Sequence, residues 1–118
     1  MSPKILICDD EEISRENIKY TLTDNYDLVI TKDGEQCLDC LTKMRDIGLI
    51  LIDINLPKVN GLGIIEEITT KYPKIPVIIL TGHKSVTNAT KAVRLGASGY
   101  IIKPLKSEEL IATVRSKF

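Results

Sequence analysis

The sequence predicts a doubly wound α/β domain: a five-stranded parallel sheet with helices on both faces. Three observations predict it. Short apolar runs recur at Ile5–Ile7, Leu28–Ile30, Leu49–Ile52, Val77–Leu80 and Tyr100–Ile102. The runs are continuous rather than alternating, which is the pattern of strands buried on both faces. Each is followed by a stretch long enough for a crossover helix, and a strand–helix unit repeated five times with right-handed crossovers leaves few topologies.

The helical stretches follow in order. Residues 11–23 carry a weak stripe, Ile13, Ile18 and Leu22 with Asn17 intruding, so that helix is assigned mainly from its place in the alternation. Asp33-Gly34 opens the second, whose apolar face is Cys37, Leu38, Leu41 and Met44. Leu56-Pro57 through Asn60-Gly61 reads as a loop leading into the third, with Ile64, Ile65 and Ile68 on one side. Pro73 and Pro76 bound it, and Val86, Ala89 and Val93 stripe the fourth. Gly96-Ala-Ser-Gly99 ends the fourth, and Ser107-Glu108-Glu109 resembles an N-cap with acids in the first turn of the fifth, striped by Leu110, Ile111 and Val114.

At 118 residues and 43% hydrophobic content, residues 1–118 fit one domain. A chain of this size buries roughly two-thirds of the surface that its unfolded form exposes. Sixteen basic residues balance sixteen acidic ones, so no global field recruits nucleic acid or an anionic membrane. The halves differ: residues 1–53 hold twelve acids and six bases, residues 54–118 four acids and ten bases. Three cysteines form no secreted-type framework and Met-Ser-Pro-Lys has no apolar signal region, so a reduced, cytoplasmic protein is expected. Cys37-Leu-Asp-Cys40 has the spacing of a redox pair, but a cap at Asp33 puts Cys37 a turn inside the helix on its apolar face, where a core role is expected. No apolar run approaches the roughly 20 residues that span a bilayer.

In an open parallel sheet the site lies beyond the C-terminal ends of the strands, where strand order reverses. The first strand delivers Asp9-Asp10 there, the third Asp53, the fourth Thr81-Gly82 and the fifth Lys103-Pro104. An aspartate that merely opens a turn would look like Asp53 in isolation; the company of the other strand ends is what singles it out. Three clustered carboxylates repel one another, and protonation or a bound cation relieves this. All-oxygen ligands with room for water and phosphate suit Mg²⁺ better than Ca²⁺ or zinc. Beside such a cation Asp53 can act as a carboxylate nucleophile toward a phosphoryl group, with Lys103 and the Thr81 hydroxyl neutralising charge.

The acidic pair Asp9-Asp10, the block Asp53-Ile-Asn-Leu-Pro-Lys-Val-Asn-Gly61, the strand end Leu80-Thr81-Gly82, Gly96-Ala97 and Lys103-Pro104 stand in the order and spacing of one family. The sequence resembles a receiver domain of bacterial two-component response regulators along essentially its whole length. The resemblance implies a flavodoxin-like strand order 2-1-3-4-5. It implies Asp53 as phosphoacceptor from a sensor histidine kinase or phosphotransfer protein, and Mg²⁺ held by Asp9, Asp10, Asp53 and the Asn55 backbone carbonyl. Lys103 is expected on the phosphoryl group through a cis Lys103-Pro104 bond. Thr81 and Tyr100 are expected to form a switch acting on the surface of the fourth helix, fifth strand and fifth helix, where a phosphorylation-dependent homodimer can form. Asn55 and His83, each two residues beyond a site residue, are expected to tune hydrolysis of the adduct. Leu56, Asn60 and Asn17 depart mildly from the family pattern.

Two other readings use the same fold. A flavodoxin-like domain binding flavin or phosphate needs a phosphate loop after the first strand, where Asp9-Asp10-Glu11-Glu12 instead repels phosphate. An aspartyl-nucleophile phosphatase of the haloacid dehalogenase kind needs a second Asp two residues after the first, where Asn55 stands.

Overall fold

The computed structural model describes residues 3–56, 61–82 and 86–118. The chain alternates strand and helix throughout: β1 (Lys4–Cys8), α1 (Glu12–Leu22), β2 (Asp27–Thr31), α2 (Gly34–Lys43), β3 (Ile47–Asp53), α3 (Gly61–Lys71), β4 (Val77–Thr81), α4 (Val86–Arg94), β5 (Gly99–Ile102) and α5 (Ser107–Arg115). The strands form one sheet in the order β2-β1-β3-β4-β5, every neighbouring pair parallel. This is the predicted doubly wound order, with the reversal between β1 and β3.

Period-two alternation divides the strand residues between two layers. Leu6, Cys8, Ile50, Ile52, Val77 and Ile79 face α2, α3 and α4, where they meet Cys37, Leu41, Ile64, Ile65, Ile68, Ala89 and Ala92. Ile5, Ile7, Leu49, Leu51, Ile78, Leu80 and Ile101 face α1 and α5, where they meet Ile18, Leu22, Leu110 and Val114. Full burial of each such Ile or Leu contributes roughly 1.5–3 kcal/mol, which is why continuous aliphatic runs end up as central strands.

Three helix assignments differ from the sequence expectation. On α1 the buried stripe is Ser14, Ile18 and Leu22, and Ile13 is 85% exposed. At about 100° per residue, the five-residue step from Ile13 to Ile18 rotates about 140° past a full turn, whereas steps of four stay on one face. On α4 the small residues Ala89 and Ala92 lie against the sheet and Val93 is partly exposed, a phase one residue earlier than the expected stripe; the Val86 side chain lies outside the described residues. On α5 the N-cap is Lys106, without a side-chain cap hydrogen bond, and Ser107 is the first helical residue, its hydroxyl 3.1 Å from that of Thr21. Glu108 and Glu109 do occupy the first turn.

The Asp33 cap is as expected, its carboxylate accepting from Gln36 N at 2.8 Å. All three cysteines are free, and Cys37 is fully buried in the core. A hydrogen bond with Cys8, reinforced by burial, pushes the Cys37 thiol far above its ordinary value, the opposite of an activated redox cysteine. No helix of the described residues is long and apolar enough to cross a membrane.

Candidate functional site

Strand ends build the site. β1 and β3 are central, so the acids that follow or end them emerge side by side: Asp9 is fully buried, Asp53 nearly so, and Asp10 exposed. Carboxylate oxygens of Asp9, Asp10 and Asp53 lie within 4.8 Å of one another. Each buried acid is held by backbone. Asp53 Oδ1 accepts from Asn55 N at 2.8 Å and Asp9 Oδ1 accepts from Glu11 N at 2.9 Å, while the Arg15 guanidinium donates to the Asp9 carbonyl at 2.9 Å. Short Asx turns of this kind aim the carboxylates without help from distant residues.

From the other side comes Lys103, placed by β5 and by its N–H donating to the Thr81 carbonyl at 2.6 Å. Its ammonium stands 2.8 Å from Asp53 Oδ2 and 2.9 Å from Asp9 Oδ2, and it also pairs with Glu11. The Lys103-Pro104 bond is cis, as the resemblance implied. Burial works against the Lys103 charge, but hydrogen bonds to Asp53, Glu11 and Asp9 outweigh it and hold the ammonium above its ordinary range. Burial pushes the Asp9 carboxyl upward despite Lys103. Among the described residues Asp9 Oδ2 is buried with no well-directed hydrogen bond, although Lys103 lies close enough to pair with it. A buried carboxylate oxygen left in that state, beside two more acids, fits a hard divalent cation.

Thr81 ends β4 fully buried, its hydroxyl donating to the Gly82 carbonyl at 3.1 Å. Tyr100 is 41% exposed on β5, and a shallow concavity there is lined by Tyr100, Ile102, Lys103, Pro104, Lys106 and Glu109. Asn55 is exposed just past Asp53. His83, Pro57, Lys58, Val59 and Asn60 lie outside the described residues. The sequence reading did not place Glu11 on Lys103, since the pair is 92 positions apart and no periodicity signals it. It also missed the partner of Asn17, whose side-chain amide donates to the Leu105 carbonyl at 2.9 Å; a polar residue breaking an apolar stripe was the available signal.

Arranged this way, the site can hold a cation on oxygen ligands and present one carboxylate, Asp53, beside a fixed ammonium, which is what transfer of a phosphoryl group to that carboxylate requires. Comparison with known proteins identifies the family. The profile described as "Response regulator receiver domain" matches residues 5–115. The transcriptional regulatory protein DegU of Brevibacillus brevis is 32% identical over 95% of this chain and 48% of its own length. The response regulator MprA of Mycobacterium bovis is 32% identical over 98% of the chain and 50% of its own length. The chain thus spans about half the length of these relatives. Among solved structures, a response regulator receiver domain protein from Clostridium thermocellum superposes with a TM-score of 0.90 at 32% identity, covering 99% of this chain and 94% of that one. The receiver domain of NtrX from Brucella abortus gives 0.89 at 30% identity and 96% of each chain. With the strand order, the acid placement and near-complete coverage in agreement, the chain belongs to the response regulator receiver domain family of two-component systems.

Proposed function

We propose that Asp53 accepts a phosphoryl group from a phosphohistidine on a sensor histidine kinase or phosphotransfer protein in the cytoplasm, and that residues 1–118 work as one receiver domain. The observation that carries this is Asp53 itself: a nearly buried carboxylate ending β3, with Lys103 at 2.8 Å and two further acids close by. In the transfer an Asp53 oxygen forms a bond to phosphorus as the phosphorus–nitrogen bond breaks, and the departing imidazole keeps the electron pair and takes up a proton. Asn55 N fixes the orientation of the attacking carboxylate. Lys103 exchanges its contacts with Asp9 and Glu11 for phosphoryl oxygens. Asp9, Asp10, Asp53 and the Asn55 carbonyl would hold Mg²⁺, which when bound supplies charge neutralisation at the phosphoryl oxygens. Asn55 and His83 stand as the residues that admit or shield the hydrolytic water.

The readout runs through Thr81. Drawn toward the new phosphoryl oxygens, its hydroxyl leaves the Gly82 carbonyl, and Tyr100 turns inward from its exposed position. That alters the surface of α4, β5 and α5, which a partner or a twin copy can read; no nucleic-acid contact is assigned to this domain. The test is incubation with Mg²⁺ and a small acyl phosphate followed by intact-mass measurement. One phosphoryl adduct is expected on the wild type and none on Asp53→Asn. An Asp53→Asn protein that is still modified overturns the assignment.

A further inference from the structure

Asn17 interrupts the apolar stripe of α1, a position where a hydrophobic side chain would bury more apolar surface between Ser14, Ile18 and their neighbours. Its half-buried side chain crosses to the segment that follows Lys103. The amide nitrogen donates to the Leu105 carbonyl at 2.9 Å. Next to it, the Thr21 hydroxyl faces the Ser107 hydroxyl at 3.1 Å and lies 3.5 Å from Asn17 Oδ1. The Leu105 side chain is buried in the layer that contains Ile18, Leu22 and Leu110. Residues 103–107 are therefore fastened at three points: Lys103 N on the Thr81 carbonyl, the Leu105 carbonyl on Asn17, and Ser107 on Thr21.

α1 starts directly after Asp9-Asp10-Glu11, and Glu11 meets the Lys103 ammonium. Asn17 lies six residues further along, roughly 9 Å at helical rise. One helix thus grips both ends of the lysine segment: the acids hold the ammonium and Asn17 holds the backbone two residues beyond it. We propose that Asn17 is a positioning residue, whose side-chain amide fixes the Pro104–Lys106 loop on α1 and so keeps the Lys103 ammonium over Asp53. The inference rests on the reading of Asp53 and Lys103 above.

The test compares the wild type with Asn17→Leu, which restores the apolar stripe without a donor, and Asn17→Gln, which keeps an amide on a longer arm. Each is made with Lys103 intact and with Lys103→Ala. Two readouts are taken: the rate of phosphoryl uptake from acetyl phosphate with Mg²⁺, and the backbone amide shifts of Lys103 and Asp53 without any phosphodonor. With Lys103 intact, Asn17→Leu should slow uptake roughly tenfold, since an ångström-scale misplacement is costly in rate. It should also move both shifts, and Asn17→Gln should recover part of each effect. In the Lys103→Ala background Asn17→Leu should slow uptake no further, because residues acting through one group are not additive. Unmoved shifts with an unchanged rate overturn the proposal, and so does the same tenfold loss in both backgrounds. A wild type that takes up no phosphoryl group defeats the reading of Asp53 instead, and the Lys103 amide shift then decides for or against the Asn17 clamp. If Asn17→Leu does not fold, Asn17→Ala is read in the same way.

Discussion

Replacing Gly61 by Ala should damage this domain far more than the same change at Gly82. A Cβ built at Gly61, the first residue of α3, falls 2.0 Å from the Ile54 carbonyl oxygen and 2.9 Å from its carbon. Separations under 3.0 Å are essentially never seen for real Cβ atoms, so backbone must move by at least the difference, 3.0 − 2.0 = 1.0 Å. Ile54 cannot yield easily, because its N–H donates to the Leu80 carbonyl at 3.1 Å and its neighbours are Asp53 and Asn55, joined by their own hydrogen bond. The start of α3 would have to lift instead, loosening Ile64 and Ile65 from the core. Overpacking against backbone sits at the upper end of its usual range, about 3 kcal/mol, against a total stability of about 5–15 kcal/mol. At Gly82 nothing among the described residues lies within 4 Å of the added Cβ. Ala there should be neutral or stabilising by about 0.4–1 kcal/mol through the unfolded chain. Urea unfolding of both variants measures the contrast, with the Gly61→Ala midpoint expected to fall by roughly 1–3 M. A Gly61→Ala loss below about 0.5 kcal/mol, or a Gly82→Ala loss as large as that of Gly61→Ala, would refute the reasoning.

Four further expectations follow from the site. Mg²⁺ should raise the melting temperature of the wild type by mass action and have no such effect on Asp10→Ala; calorimetry with and without the metal checks this. Asp9 carries a raised folded-state pKa, so its contribution is present at pH below the unfolded value of 3.8 and is lost as pH rises through the folded value. In chelator at neutral pH, Asp9→Asn should therefore be more stable than the wild type, and the gain should disappear near pH 3 in urea titrations. Thr81→Ala should still take up phosphoryl groups, while hydrogen exchange in α4 and β5, expected to change on modification of the wild type, should not change in the variant. Asn55→Ala and His83→Ala should each alter the lifetime of the adduct, timed by intact mass, and unchanged lifetimes in both would remove their gating role.

The strands were legible because doubly buried parallel strands leave an unbroken aliphatic run, and the acids because a charge at the end of such a run has few structural reasons to be there. Helix faces were less so. Ile13 and Val93 were drawn inward by hydrophobicity alone, but phase is set by the residues that meet the sheet: Ser14 and Ala92 are buried in their place. Ser107 has the residue type of a cap, whereas tertiary structure gives its hydroxyl to Thr21. Lys103 follows a strand end and lies beside Asp53, yet its pairing with Glu11 and the fastening of its loop by Asn17 join distant parts of the chain. Contacts of that kind carry no local period.

The hydrogen bond from the Thr81 hydroxyl to the Gly82 carbonyl, its one bond among the described residues, has a consequence for signal range. A bond of this type contributes about 0.5–1.5 kcal/mol, whereas moving a two-state equilibrium from 1:99 to 99:1 takes about 5.5 kcal/mol. Exchanging a bond of that size biases a two-state balance by roughly two- to thirteen-fold, well short of that span. On the proposed reading, further contacts of the phosphoryl group, such as that with Lys103, must supply the rest of the contrast, while the fit of Tyr100 and its neighbours on the outer surface sets the resting balance. Basal leakiness should thus be open to tuning by substitutions around Tyr100, Lys106 and Glu109 without touching the phosphoryl chemistry proposed at Asp53.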